Sequence, residues 1–349
     1  MRYKVTLGSV HKGSEAFIIA EHFANKEKSI LYIARDDREI YALQSKLFWL
    51  LPKADILIFR SWDQIPYDNV SPSREIQSER IKTLYQLSVN KQKKIILSSV
   101  NAIIQRTVDQ SFIKKNYVTI FVNQKLNFNH FIQQLISLGY QRTSVVREKT
   151  DFAIRGSIID IFIVDRKNPL RIDFFDNNIE SIYEFDRLTQ KRLLKIENEK
   201  IYIHPSSELL INDETITLFR KNFREIFSNY RLSQVYNSFS ESILPPGGEQ
   251  FLPFFLEKME TFFNFVNDCR VIVNSQFNDL LENRIENIND FFKARNQLND
   301  NFYLKPDQLY LSSNETNHYL SKSDLIKFSV ILIPLLFINP IQVLRIRSY

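Results

Sequence analysis

Three short apolar runs limit what this chain can fold into. Ser29–Ala34 (SILYIA), Asp55–Phe59 (DILIF) and Lys94–Ser98 (KIILS) are too short for helices, and each is followed by a polar loop. They read as buried strands. Around them Glu15–Ala24, Arg38–Leu50 and Arg74–Leu87 read as helices. The third has Ser73 as its N-cap and Ile81, Leu84 and Tyr85 at helical spacing. Apolar strands alternating with helices predict a parallel sheet covered on both faces. This first α/β region extends over residues 1–122.

A different pattern follows over residues 123–203. Asn129–Leu138 reads as one helix, capped by Asn129 and ended by Gly139. Strands then run antiparallel from Ser144 to Phe185, with Asn177–Asn178 as a hairpin turn. That makes a small α+β domain. Residues 204–320 return to α/β, with helices at Asp213–Asn229 and Gln276–Asn296, a loop at Leu244–Gly248 and a buried strand at Arg270–Asn274. The outer parts form one parallel-sheet domain, and the α+β domain is an insertion in it. Residues 321–349 form an atypical apolar tail. Phe328–Ile338 is nearly all apolar but is broken by Pro334 and followed by Pro340, too short for a membrane span of about 20 residues. A buried segment, or out-of-frame sequence left by truncation, is expected there.

The composition narrows the chemistry. One cysteine, Cys269, excludes an internal disulfide and any cysteine-based metal site, and suits a reducing cytoplasmic setting. The five histidines show no HxxxH or HExxH spacing, so no metal is expected. The net charge of +6 is scattered with no basic block, so nucleic-acid binding is at most weak.

The loop after Val5–Leu7 has the outline of a P-loop, GxxxxGK[ST]. Gly8 and Gly13 are correctly spaced, but Ser14 stands where lysine is required and Glu15 where serine or threonine is required. A carboxylate there repels phosphate and cannot replace a magnesium-binding hydroxyl. The loop is degenerate, and no ATP cofactor is expected. Asp160, Asp173, Asp176 and Asp186 offer paired carboxylates, but cross-strand ion pairs with the neighbouring arginines are the simpler account.

The stretch Ile154–Arg192 offers a surface instead. Side chains alternate along a strand, so Leu170, Ile172 and Phe174 face a core while Arg171, Asp173 and Phe175 face away. An arginine and a phenylalanine on one outer face are residue types enriched at interfaces. The competing reading has Phe175 covered by this chain and Arg171 paired with Asp173 or Glu180.

Longer motifs carry a resemblance. They are Trp62–Asp68 (WDQIPYD), Ser71–Ser73, Ser78–Leu84, Asn101–Ala102 with Gln105–Arg106, the run from Arg155–Gly156 to Gln190–Arg192, and Leu244–Pro245 with Glu257–Glu260. Together they resemble the N-terminal module of bacterial transcription-repair coupling factors, strongly over residues 6–265 and fading toward 320. The resemblance implies a helicase-like, UvrB-like parallel-sheet domain split by an inserted α+β domain. It implies a degenerate P-loop and no catalysis by this part. It also implies that the inserted domain binds the damage-recognition ATPase UvrA, with Arg155, Arg171 and Phe175 at contact positions. Members of that family also bind RNA polymerase and translocate along double-stranded DNA, through regions with no counterpart here. The alternative is a nucleotide- or DNA-binding repair protein closer to UvrB itself. That reading needs an intact P-loop and a long aromatic hairpin, for which Trp62–Ser73 leaves no room.

Overall fold

The computed structural model describes residues 5–7, 10, 13–25, 27–90, 92–297 and 302–328. Four strands open the chain: β1 (Val5–Leu7), β2 (Ile30–Ala34), β3 (Asp55–Phe59) and β4 (Lys94–Ser99). Helices α1 (Glu15–Asn25), α2 (Asp37–Leu50) and α3 (Arg74–Val89) alternate with them. Every residue of β2 and β4 is buried, as strands covered on both faces require. Successive side chains of β2 point to opposite sides. Ile30 and Tyr32 join the core under α2, with Ile40, Leu43 and Leu47. Leu31 and Ile33 join the larger core on the other face, with Ile81 and Leu84 of α3. Asp36 caps α2 by accepting the Glu39 N–H, and Ser73 caps α3 by accepting the Ile76 N–H.

The chain then leaves this sheet. β5 (Val118–Ile120) pairs antiparallel with a distant strand, described below. β6 (Gln141–Arg142), β7 (Asp151–Arg155), β8 (Ile158–Ile161), β9 (Leu170–Phe175), β10 (Asn178–Phe185) and β11 (Arg192–Ile196) form a second sheet in the order β11-β10-β9-β8-β7-β6. It is antiparallel except between β6 and β7. β12 (Ile201–Ile203) is the partner of β5. β13 (Arg270–Val273) and β14 (Asp324–Phe328) return to the first sheet, whose order is β1-β14-β13-β2-β4-β3, all parallel. All strands of the second sheet therefore lie between β4 and β13 along the chain. Its inner face packs Phe152, Ile159, Ile172 and Phe174 against Phe131 and Leu135 of the helix Phe128–Ser137.

Three local expectations are corrected. The middle helix spans Phe128–Ser137, and its cap is Asn127, which accepts the His130 N–H at 2.9 Å, not Asn129. The turn after β9 is Asp176–Asn177, since Asp176 takes φ 51° and Asn178 already pairs with Phe175. The supposed tail 321–349 begins inside regular structure. Ser321 and Lys322 close the helix Ser313–Lys322, and β14 sits between β1 and β13 with Leu325 and Ile326 buried. The longer apolar run after β14 hides this five-residue strand in the sequence, and from 329 onward that run lies outside the described residues.

Polar contacts anchor α3 to the segments around it, the second sheet among them. Arg80 of α3 is fully buried and donates to both carboxylate oxygens of Glu208, at 2.6 and 3.2 Å, and to the Arg60 carbonyl at 2.6 Å. Its guanidinium lies 4.3 Å from the centre of the Phe59 ring. Arg74, also on α3, donates to Thr150 Oγ1 and, at 2.9 Å, to Asp151 at the start of β7. Gly247 seats the loop Leu244–Gly248 against the Trp62–Ser73 segment. It has φ +72°, and a Cβ there would lie 2.3 Å from the Asp68 carbonyl oxygen.

Candidate functional site

The register of the second sheet brings Arg155, Arg171 and Phe175 to one face. Arg155 is opposite Ile158, and Ile158 is opposite Asp173. Directly opposed residues of antiparallel strands project to the same side, and Arg171 and Phe175 flank Asp173 at two-residue spacing on β9. This is the face away from the helix Phe128–Ser137.

The three side chains are in different states. Phe175 is 67% exposed, so among the described residues nothing covers its ring. Arg155 is exposed and reaches the Gln190 side-chain oxygen at 3.4 Å. Arg171 is largely enclosed. It donates to both oxygens of the fully buried Asp160, at 2.7 and 2.9 Å, and to the Gln190 carbonyl at 3.2 Å. Its guanidinium also sits 4.6 Å from the centre of the Phe185 ring. The hydrogen bonds to Asp160, ahead of the charge attraction, raise the affinity of Arg171 for its proton. The partner expected for Arg171, Asp173 or Glu180, is therefore Asp160, one strand over on β8.

The aspartates divide into two kinds. Asp160 and Asp173 make cross-strand ion pairs, the latter with Arg192 at 2.8 Å. Asp186 instead caps a turn, accepting the Leu188 and Thr189 N–H groups and the Thr189 hydroxyl, and these bonds pull its pKa down. Asp176 is the left-handed residue of the β9–β10 turn.

Sequence reasoning misses two contributors. Gln190, at φ 60°, ends the turn after β10 and holds both arginines, one by its side chain and one by its carbonyl. Leu188, Leu193 and Leu194 are exposed at 84%, 56% and 62%, although as neighbours on one strand Leu193 and Leu194 project to opposite faces. Leu193 and Leu194 lie on β11, an edge strand exposed from Arg192 to Lys195, so they lack the in-out alternation that would mark them as a strand.

The loop after β1 shows a second arrangement. Gly8 lies outside the described residues. Gly13 has φ +104°, and its N–H donates to the Glu15 carboxylate at 2.6 Å. Ser14 precedes α1 and its carbonyl accepts the Phe17 N–H. A carboxylate of the chain itself thus occupies a backbone donor of the kind that holds phosphate in a P-loop. Among the described residues no group of three or more His, Cys, Asp or Glu side chains is arranged to hold a metal ion. No described helix is long and apolar enough to cross a membrane.

The region that carries this face also matches a known domain. The profile of the UvrB interaction domain matches residues 118–209, which span β5 to β12. A transcription-repair-coupling factor of Haemophilus influenzae is 30% identical over 325 residues, 92% of this chain and 28% of that protein. Its counterpart in Escherichia coli is 30% identical over 271 residues, 77% of this chain and 23% of that protein. That of Staphylococcus aureus is 26% identical over 279 residues, covering 76% and 24%. The chain thus spans about a quarter of the length of these relatives. With the likeness reaching over nine-tenths of its residues and a UvrB interaction domain at its centre, the chain belongs with the N-terminal segments of the transcription-repair-coupling factors (Mfd).

Proposed function

We propose that this chain is a docking module that recruits nucleotide excision repair by binding UvrA through the outer face of its second sheet. The observation that carries this reading is Phe175. A phenylalanine 67% exposed, on the same sheet face as Arg155 and inside the UvrB interaction domain, leaves most of its ring open to a partner. An exposed aromatic ring on a face that also carries arginine is the type of anchor that dominates interface energies. The fold reading extends accordingly: a helicase-like, UvrB-like domain holds the second sheet as an inserted unit, and the N-terminal loop is a degenerate P-loop. On this reading the chain is not an enzyme and uses no ATP, because Glu15 takes the loop donor and no lysine follows Gly13. RNA polymerase binding and DNA translocation belong to the full-length family, and the setting is the cytoplasm.

Calorimetric titration with purified UvrA tests the reading. Phe175→Ala is expected to weaken binding by about 2 kcal/mol, some thirtyfold, and Arg155→Ala by a smaller factor. Full-strength binding by the Phe175→Ala, Arg155→Ala double variant would refute it.

A further inference from the structure

A cavity of about 870 Å³ opens at the carboxyl ends of β2, β13 and β14. Ligands of open parallel sheets bind at such ends, and the volume suits a small organic molecule. Its acidic groups are already engaged. Glu39 accepts the Tyr32 hydroxyl at 2.6 Å and Arg35 Nε at 2.9 Å, Asp36 accepts the Glu39 N–H at 2.9 Å, and Glu15 holds the Gly13 N–H.

Its donors are not all engaged. Arg38 and Lys46 stand eight residues apart on α2, on one side of the helix, and have no carboxylate partner among the described residues. Lys46 comes to the degenerate loop from a different element: a Cβ on Gly13 would lie 3.5 Å from its Nζ. Asn274, just after β13, is 9% exposed. Its Oδ1 accepts the Gln276 N–H at 2.9 Å, which leaves Nδ2 buried in the cavity wall with no partner. A buried donor kept from both protein and water calls for an acceptor.

We propose that this cavity binds a small phosphate-bearing anion through Lys46, Arg38 and Asn274, without the magnesium or hydrolysis of a P-loop. Two cations and an amide donor with no partner among the described residues line this cavity, and its carboxylates each already hold a donor of the chain. Tyr32, Leu43 and Phe328 supply an apolar wall against which the rest of an ester can lie. The loop donor stays with Glu15, so side chains and not the Gly13 N–H hold the anion.

Calorimetry on the whole chain without magnesium, with pyrophosphate and ADP as separate probes, tests the proposal. Saturable binding of at least one probe at millimolar concentration or below is expected. Lys46→Met, an exposed change on a helix, and Asn274→Asp, which keeps the cap on Gln276 but replaces the donor, should each weaken it about tenfold or more. Equal affinity for the probes assigns recognition to the phosphate alone, and tighter ADP binding adds the apolar wall to the site. No saturable binding of either probe, or binding unchanged in both variants, overturns the proposal.

Discussion

Phe175 and Arg171 stand four residues apart on one strand face yet answer to different demands. The Phe175 ring stabilises nothing within the chain, so Phe175→Ala should leave folding stability within about 0.5 kcal/mol. Arg171 neutralises Asp160, which is fully buried and has no other side-chain hydrogen-bond or ion-pair partner among the described residues. Arg171→Ala strands that carboxylate and should cost about 3–5 kcal/mol in urea unfolding. The pair Asp160→Leu with Arg171→Met should cost less than the single change, because no buried charge is left behind. A stability loss for Arg171→Ala no larger than that for Phe175→Ala would show that the pair is not structural. It follows that a binding defect of Arg171→Ala alone says little about contact with a partner. The alternation of β9 makes the shared face legible in the sequence. The partner of Arg171 is not legible, because it depends on the register between β8 and β9, which only tertiary packing sets.

At the scale of elements, periodicity places most helices and strands, and local chemistry decides their ends. Two asparagines bracket the start of the helix Phe128–Ser137, and either could cap it by type alone. Phe131 and Leu135 must face Phe174, and this phase puts the first turn at Phe128 and the cap at Asn127. Asn127→Ala should lower stability by about 1 kcal/mol, while the same change at the exposed Asn129 should be close to neutral, as read from paired chemical denaturation curves. The reverse order would restore the cap to Asn129. β11 and β14 escape a sequence reading for opposite reasons. β11 is an edge strand whose leucines are solvent-facing, and β14 is a central strand whose five residues precede a longer apolar run.

Across the whole molecule, strand order was out of reach of sequence reasoning, because β13 and β14 join β1 and β2 from more than 200 residues away. The same long-range closure creates a site that no motif marks. His204 follows β12 and is 1% exposed, its ring 3.7 Å from that of Tyr85 on α3 and near Tyr117. It therefore lies at the junction between the first sheet's helices and the β5–β12 pair. Burial among these rings disfavours the cation and pushes its pKa down to about 4, from 6.5 in an open chain. Between those values the unfolded chain binds a proton that the folded chain refuses. The stability present above about pH 6.5 is therefore lost progressively as pH falls toward 4. His204→Phe keeps an aromatic ring and removes the titration. Against wild type, it should abolish a loss of roughly 1.4 kcal/mol per pH unit, on the order of 3 kcal/mol across the window. Urea unfolding from pH 7 to pH 4.5 on both proteins measures this difference directly. Parallel pH profiles would mean that the ring opens to water before it protonates, and that the junction between α3 and the β5–β12 pair loosens on acidification without unfolding.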